Sequence, residues 1–277
     1  MLVSRWHGVR VAFTTVFVLC VASISPASIT LNLTTDGSSG NINGAIYEQI
    51  DPQSTGTGTI NSFVQIGGNT DQTQGYNTTV NGTLDNGSSD QFNHSITLGI
   101  VPIVSIGGID YRQFLLDINE NRGGGNEFLS LDEIQLFVGG TANSSVESFT
   151  GDVLDHDGTL VYQMDAGMDN WVALDYSLNT GSGSGDMFLN VPDSLFAAFG
   201  DADVVTLYSL FGQQGDVDAT EALAAGVPAG DYGNSDGFEE WAVLEVEAVI
   251  PEPVSIAVWS LLIGSVGLAT ARRRRAG

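Results

Sequence analysis

One short stretch of the sequence places oxygen-bearing side chains at a spacing suited to calcium binding. Asp117, Asn119 and Asn121 occupy every second position, and Glu127 follows a run of glycines. Alternating Asp and Asn in a tight loop can surround Ca²⁺ with oxygen ligands at about 2.4 Å. A Ca²⁺ site formed by these four residues is therefore one prediction for this stretch.

The same stretch resembles the start of an EF-hand-type calcium loop but departs from it. Arg122 stands where that loop has glycine, Gly123 comes one position late, and Phe128 replaces the closing glutamate. These departures favour a second interpretation, a glycine-rich turn between a strand that ends at Ile118 and a strand that begins at Phe128.

Three further groups of acidic residues could bind Ca²⁺ or, as close pairs, act on glycosidic bonds. A chain with 33 Asp and Glu among 277 residues forms such groups by composition alone, so solvated turns are the favoured interpretation. A secreted carboxylate-dependent glycoside hydrolase or lyase is the alternative that they leave open. The groups are Asp152, Asp155 and Asp157 with Asp165 and Asp169 nearby, then Asp216, Asp218 and Glu221, and finally Asp231, Asp236, Glu239 and Glu240.

Side chains for nucleophilic catalysis are scarce. Beyond residue 27, His94 and His156 are the only histidines, and neither lysine nor cysteine occurs. Residues 181–185, Gly-Ser-Gly-Ser-Gly, lack the Lys and Ser/Thr of a phosphate-binding loop, and the third position of G-x-S-x-G is glycine there. This run is better interpreted as a hairpin loop, and the chain is predicted to be non-enzymatic.

The segment from Ser28 to Ile250 is strongly acidic. It contains 32 acidic residues and only two cations, Arg112 and Arg122, so its formal charge is near −30. Such a charge repels nucleic acid phosphates and argues against a nucleic-acid partner. Divalent cations would instead relieve the repulsion among crowded carboxylates.

The elements that must position these groups are short β-strands. Strand-like runs recur at about ten-residue spacing between Gly, Asn and Asp turns, which predicts an all-β, antiparallel β-sandwich of jelly-roll-like form over residues 28–250. Its length fits one domain or two sub-domains that meet near residue 108. Only residues 193–199 predict a helical turn. The predicted strands are 45–50, 59–66, 76–84, one or two within 92–106, 111–118, 128–138, 160–164, 171–178, 187–191, 204–211 and 241–249.

Aromatic residues concentrate in the second half of the chain. Exposed Trp and Tyr on a sandwich face can stack on sugar rings, but aromatic residues in strands more often belong to the core. The core is the favoured interpretation here. The residues are Tyr162, Trp171, Tyr176, Tyr208, Tyr232, Phe238 and Trp241.

Residues 1–27 have the layout of a secretory signal peptide. Arg5 and Arg10 form a basic region, residues 11–22 are apolar, and small residues up to Ala27 offer a cleavage site. An N-terminal signal helix and export are therefore predicted. Cys20 leaves with the signal, so the mature body has no disulfide.

Residues 251–277 combine three features in a fixed order. As a helix, the uncharged run 254–271 is about 27 Å long, close to the thickness of a bilayer's hydrocarbon core. The arginines after it would hold its end on the cytoplasmic side, so a single transmembrane helix is predicted with the body across the membrane. The flanking residues are Pro251, Glu252 and Pro253 before the run, and Arg272, Arg273, Arg274 and Arg275 after it.

This tail resembles the PEP-CTERM sorting signal of bacterial envelope proteins, which the membrane enzyme exosortase handles. The proline-bracketed tripeptide, the apolar span and the terminal arginine cluster all match, over about a tenth of the chain. The resemblance implies the export machinery and exosortase as partners, a transient inner-membrane anchor and removal of the tail near the tripeptide. It also implies delivery to the cell surface or to an extracellular matrix such as that of a biofilm.

Together these features predict an exported cell-surface or extracellular-matrix protein without enzymatic activity. Ca²⁺ and exopolysaccharide are its candidate ligands, because the body is acidic and the destination is a polysaccharide-rich matrix.

Overall fold

The structure is a computed structural model that describes residues 30–50, 60–67, 70–181, 183 and 185–244. The predicted signal peptide at 1–27 and the sorting tail at 251–277, with its transmembrane helix at 254–271, lie outside the described residues. Among the described residues, no helix has both the length and the apolar character needed to cross a membrane.

The regular structure of the described chain is mainly β-strand, with eighteen strands and the α-helix α1 at Ala219–Ala225. The strands, in chain order, are β1 Thr30–Asn32, β2 Ser39–Ile42, β3 Ala45–Gln49, β4 Ile60–Ile66, β5 Thr73–Tyr76, β6 Ile96–Thr97, β7 Ile103–Ile106, β8 Ile109–Asp117, β9 Phe128–Val138, β10 Phe149–Thr150, β11 Val153–Leu154, β12 Thr159–Gln163, β13 Trp171–Asp175, β14 Met187–Pro192, β15 Val204–Phe211, β16 Asp216–Val217, β17 Gly230–Asp231 and β18 Glu239–Leu244.

Fourteen of these strands form two sheets of seven. Sheet A has the order β1-β13-β9-β15-β5, with β12 beside the far half of β9 and β6 beside the start of β15. Sheet B has the order β2-β3-β14-β8-β18-β4, with β7 beside the start of β8. Among the described strands, β1 and β13 pair in parallel and the other pairs are antiparallel. Strands from before and after residue 108 share both sheets.

One apolar core joins the two sheets. Leu136 of β9 and Leu207 of β15 meet Phe114 of β8, Leu189 of β14 and Trp241 of β18 in the same buried cluster. A sandwich buries alternate residues of both sheets in this way, because successive strand side chains point to opposite faces. The prediction of an all-β body is confirmed.

The strongly apolar strands match their predictions best. The structure places β9 at the predicted residues 128–138 and β15 at 204–211. All eleven residues of β9 are buried, because its inner face packs in the core and its outer face is covered by residues that follow it. The predicted helical turn is confirmed as a 3₁₀ turn at Asp193–Phe196.

One predicted strand is wrong over most of its length. The predicted strand 76–84 ends at Tyr76, and residues 77–84 form turns. The side chain of Asn77 there accepts from Leu207 N and donates to Val205 O, both at 2.8 Å, so a side chain replaces the backbone ladder. Within 92–106, the predicted one or two strands are confirmed as β6 and β7, with a 3₁₀ turn at Leu98–Ile100 between them.

Helix α1 was not predicted from the sequence. Asp218 caps it by accepting from Thr220 N and Glu221 N, and Glu221 accepts from Asp218 N in return. This reciprocal capping box satisfies backbone donors at the helix start. Two of the acidic residues interpreted as a solvated turn therefore have a local structural role.

Candidate functional site

A cleft of about 890 Å³ opens on the outer face of sheet A. Its floor comes from β5, β9 and β15, one wall from the β10–β11 hairpin, and the other from the turn after β12. We call this the sheet A cleft. It is lined by Gln74, Glu133, Phe149, Gly151, Asp152, Val153, Gln163, Asp165, Gly167, Met168, Asp169, Tyr208, Leu210 and Gln213.

A β-bulge in β9 places two acidic residues on the cleft side of the sheet. Leu210 of β15 pairs with Glu133 and Phe211 pairs with Leu131, so Asp132 is the extra residue. An extra residue bends the strand and re-aims the neighbouring side chains. Since Leu131 and Ile134 both point into the core, Asp132 and Glu133 are left on the outer face.

The Glu133 carboxylate is buried and held by hydrogen bonds. Its Oε1 accepts from Ile134 N at 2.8 Å and Met164 N at 3.1 Å, and its Oε2 accepts from Gln163 Nε2 at 3.2 Å. Burial raises the pKa of Glu133 to about 7, although these hydrogen bonds act in the opposite direction. The group is therefore partly protonated near neutral pH.

Asp165 lies beside Glu133 in the same cleft. Its backbone N–H donates to Glu133 Oε1 at 3.4 Å, and its own Oδ1 accepts from Asn170 N at 2.8 Å. Burial is the main reason that the pKa of Asp165 rises to about 8, and the negative charges of Glu133, Asp169 and Asp132 add to it. The cleft thus offers protonated carboxyl groups at pH 7, which can donate as well as accept hydrogen bonds.

Neither arginine of the body reaches this cleft. Arg112 pairs with Asp193 at 2.7 Å, and the Arg122 guanidinium lies 6.0 Å from the centre of the Tyr176 ring. Among the described residues, no basic side chain therefore neutralises the carboxyl groups of the cleft.

The β10–β11 hairpin is fastened over sheet A by Gln135. This buried side chain donates from Nε2 to Asp152 O at 2.6 Å and accepts from Leu154 N at 2.9 Å. The hairpin brings the half-buried Phe149 edge-on to Tyr208, with 5.5 Å between the ring centroids. Aromatic, amide and carboxyl groups thus line one groove, a combination that recognises polar ligands with apolar faces.

The aromatic residues singled out from the sequence belong mainly to the core. Six of the seven are buried, and Phe238, at 44% exposed, is the exception. The core interpretation is confirmed for those six. Tyr208 is buried but also borders the sheet A cleft, where its hydroxyl donates to Gln74 Oε1 at 2.7 Å.

The predicted calcium residues lie in the crossover from sheet B to sheet A. Asp117 ends β8 and is 4% exposed, and its Oδ2 accepts from Gly183 N at 2.6 Å. Asn119 is half-buried, and its backbone N–H donates to Glu239 Oε2 at 3.1 Å.

The other two residues of that prediction contact different groups. The exposed Asn121 contacts Ser235, with 3.3 Å from its Nδ2 to Ser235 O. Glu127 Oε2 accepts from Gly125 N at 3.0 Å within its own turn. In the part of the chain that the structure describes, no three His, Cys, Asp or Glu side chains are grouped as a metal site. The Ca²⁺ site of these four residues stays a prediction.

Sequence reasoning did not single out Glu133, although the sequence carries a signal. Asp132-Glu133 is a pair of adjacent charged residues inside the mainly apolar run 128–138. In a regular strand one of the two would face the core, so the pair indicates a bulge. No protein-family model, curated protein or solved structure matches the chain.

Proposed function

We propose that the protein is an exported, non-enzymatic component of the cell surface or extracellular matrix and binds polysaccharide in the sheet A cleft. The signal-like N-terminus and the tail that resembles a PEP-CTERM signal support export, transient anchoring through residues 254–271 and processing by exosortase. The observation that carries the binding function is the cleft of about 890 Å³, whose lining includes Phe149, Tyr208, the buried Glu133 and the half-buried Asp165.

The charge of the cleft narrows the class of polysaccharide. Asp152 and Asp169 line it together with Glu133 and Asp165, and the whole body has a formal charge near −30. A polyanionic sugar would be repelled, whereas a neutral or amine-bearing one would not. The protonated form of Asp165 can donate to a sugar oxygen, and Phe149 offers an apolar surface to the ring. The same charge disfavours nucleic acid as a ligand.

We also infer that the sandwich is jelly-roll-like. Among the strands of the two sheets, the chain crosses from one sheet to the other seven times, between β1 and β2, β4 and β5, β6 and β7, β8 and β9, β13 and β14, β14 and β15, and β15 and β18. Repeated crossing between two packed sheets is typical of that arrangement.

Binding is tested by affinity electrophoresis of the purified protein in gels that contain one polysaccharide each. Dextran represents neutral chains, chitosan amine-bearing chains and alginate anionic chains. We expect retardation by a neutral or amine-bearing polysaccharide and none by alginate. Phe149→Ala should weaken binding by about three- to ten-fold, the effect of losing one aromatic contact.

Phe238→Ala is the matched control, because it removes an exposed aromatic residue away from the cleft. It should bind as the unchanged protein does. Equal losses in the two variants, or no retardation by any of the three polysaccharides, would refute binding in the cleft.

A secreted glycoside hydrolase or lyase is the second candidate, and the pair Glu133 and Asp165 favours it specifically. An acid with a pKa near the working pH is suited to proton transfer, and the pKa of Glu133 is about 7. Glycosidases commonly use two carboxyl groups that flank the scissile bond.

The two candidates are separated by measuring products. A hydrolase releases new reducing ends from the same polysaccharides, and a lyase releases unsaturated ends. Loss of either product in Glu133→Gln and in Asp165→Asn would establish the enzyme. Retained binding without products would support the binding protein.

A further inference from the structure

Four acidic side chains are buried together at one end of sheet B. Asp117 ends β8, Asp186 precedes β14, Glu120 lies in the crossover after β8, and Glu239 begins β18. Their exposed fractions are 4%, 4%, 4% and 0%. We call them the buried acidic cluster.

The strand register brings Asp117 and Asp186 face to face. Leu116 pairs with Met187 in the antiparallel β8–β14 ladder, and one further step places Asp117 opposite Asp186. Side chains directly opposite in such a ladder have Cβ atoms about 5 Å apart. The two carboxyl groups therefore share one small space.

Each of three carboxylates uses only one of its oxygens for hydrogen bonding. Asp117 Oδ2 accepts from Gly183 N at 2.6 Å, Asp186 Oδ2 from Ile118 N at 2.7 Å, and Glu120 Oε2 from Ser235 N at 2.8 Å. Their other oxygens are shielded from solvent and accept no hydrogen bond from any described residue. The unpartnered carboxylate oxygens are Asp117 Oδ1, Asp186 Oδ1 and Glu120 Oε1. The amide oxygen of Asn234, Oδ1, is likewise buried and accepts no hydrogen bond.

Asn234 is linked to the buried acidic cluster by a hydrogen bond to Glu239. Asn234 Nδ2 donates to Glu239 Oε1 at 3.0 Å, which leaves the amide oxygen of Asn234 free. Buried oxygens almost always have a partner, so this concentration of free oxygens points to a ligand.

A ligand that neutralises the buried carboxylates must carry positive charge. Both arginines of the body are engaged elsewhere, one with Asp193 and the other over the Tyr176 ring. Several buried carboxylates without a cation would cost several kcal/mol each. A metal or protons must compensate them.

We propose that the buried acidic cluster binds Ca²⁺, with the free oxygens of Asp117 and Asp186 as its main ligands. The available donors are carboxylate, amide and backbone oxygens, which suit a hard cation rather than zinc. Ca²⁺ completes its shell with amide and carbonyl oxygens and water, so it does not need three converging carboxylates. Of the four residues that the sequence suggested, only Asp117 belongs to this site.

Two glycines of the glycine-rich run at 181–185, Gly183 and Gly185, lie beside the buried acidic cluster. Gly183 donates to Asp117, and Gly185 approaches so closely that an added Cβ would lie 2.6 Å from Leu115 Cδ1. Gly185 also has φ +68°, which favours glycine. Gly183 and Gly185 therefore lie against the end of β8, in a connection that joins β13 of sheet A to β14 of sheet B and is not a hairpin.

The proposal is tested by calorimetric titration of the purified, chelator-treated full chain with CaCl₂ and, separately, MgCl₂. A background of about 0.15 M NaCl limits diffuse attraction to the acidic surface. We expect one saturable Ca²⁺ site per chain, with a Kd on the order of 10⁻³ M or tighter and weaker Mg²⁺ binding. The melting temperature should rise over the same Ca²⁺ range.

Two variants locate the site. Asp186→Asn keeps the shape and removes one charge, and should weaken Ca²⁺ binding about ten-fold or more. Asp110→Asn removes an equal charge from the exposed start of β8 and should leave binding unchanged. Asp117→Asn provides a second test of the pair if Asp186→Asn does not fold.

Three results would overturn the proposal. The first is no saturable Ca²⁺ binding by the unchanged protein. The second is equal binding in both cluster variants and the control, which would place the ion elsewhere. The third is a higher melting temperature of Asp186→Asn together with no Ca²⁺ response of the unchanged protein, because protons would then neutralise the cluster. None of these results depends on whether polysaccharide binds in the sheet A cleft.

Discussion

The position of Glu133 in the sheet A cleft explains its raised pKa. The bulge at Asp132 turns Glu133 away from the core, and the β10–β11 hairpin and the turn after β12 then bury it. Because Arg112 and Arg122 are both engaged elsewhere, no basic side chain of the described residues balances the burial of Glu133. The carboxyl group therefore holds its proton to a higher pH than an exposed glutamate does.

Replacing Glu133 by Gln should remove part of the pH dependence of stability. The pKa of Glu133 is raised from 4.5 to about 7, so its stabilising proton is fully held below about pH 4.5 and lost as the pH rises through 7. This shift corresponds to on the order of 3 kcal/mol. We expect the free energy of unfolding in urea to fall less between about pH 5 and pH 8 in Glu133→Gln.

Glu48→Gln is the control for that measurement, since it removes a carboxylate from β3 in the other sheet. It should retain the pH dependence of the unchanged protein. If Glu133→Gln retained it too, the assignment of a raised pKa to Glu133 would be wrong.

Site residues could be predicted from the sequence only where their spacing along the chain forms a recognisable local pattern. Asp117 was singled out by its alternation with Asn119 and Asn121, but its neighbour Asp186 lies 69 positions away. Only the β8–β14 register brings the two together, and a single sequence does not reveal the register. Six aromatic residues were correctly interpreted as core, because large apolar side chains in strands are usually buried.

Among the elements, the turn after β5 depends on one side chain. Asn77 is 1% exposed and bonds both Val205 O and Leu207 N of β15, as a neighbouring strand would. The tract 77–84 is therefore fixed to sheet A without being a strand. Its alternating Thr and Val residues are typical of strands, which explains the wrong prediction.

Asn77→Ala should destabilise the fold by about 2–3 kcal/mol, because it leaves two buried backbone groups without partners. Urea unfolding at fixed pH measures the change. Asn81→Ala, in the exposed turn of the same tract, should change stability by less than about 0.5 kcal/mol. Similar stability of the two variants would show that the Asn77 contacts do not hold the turn.

The elements that the sequence predicted well are the long apolar strands. The runs that became β9 and β15 are rich in large apolar residues, and nearly all of their residues are buried. Helix α1 was missed because its seven residues are too few for a convincing helical period, and its caps were counted as an acidic group. Short elements fixed by caps and side chains are harder to predict than those fixed by the core.

At the scale of the whole molecule, the fold separates two acidic sites. The sheet A cleft is bordered by acidic groups near 133, 152 and 165–169, whereas the buried acidic cluster joins residues near 117–120, 186 and 239. Composition predicted an acidic body but not this division, because it arises from strand pairing between distant parts of the chain. The all-β class followed from turn spacing, which is local information.

The resemblance of residues 251–277 to a sorting signal predicts that the mature protein in the cell envelope lacks the terminal arginines. If exosortase processes it near Pro251–Pro253, intact-mass measurement of the mature protein should show a chain without Arg272, Arg273, Arg274 and Arg275. Expression in a bacterium without exosortase should leave those arginines in place. A native mass that still includes them would contradict processing of the tail.

The central proposal, that polysaccharide occupies the sheet A cleft, is tested most directly by hydrogen–deuterium exchange with and without the polysaccharide that retards the protein most. We predict slower exchange in residues 149–153 and 165–169, which form the two walls, and no change in β2 and β3 of sheet B. The protection should disappear in Phe149→Ala. Protection confined to sheet B, or none at saturating polysaccharide, would contradict the proposed function.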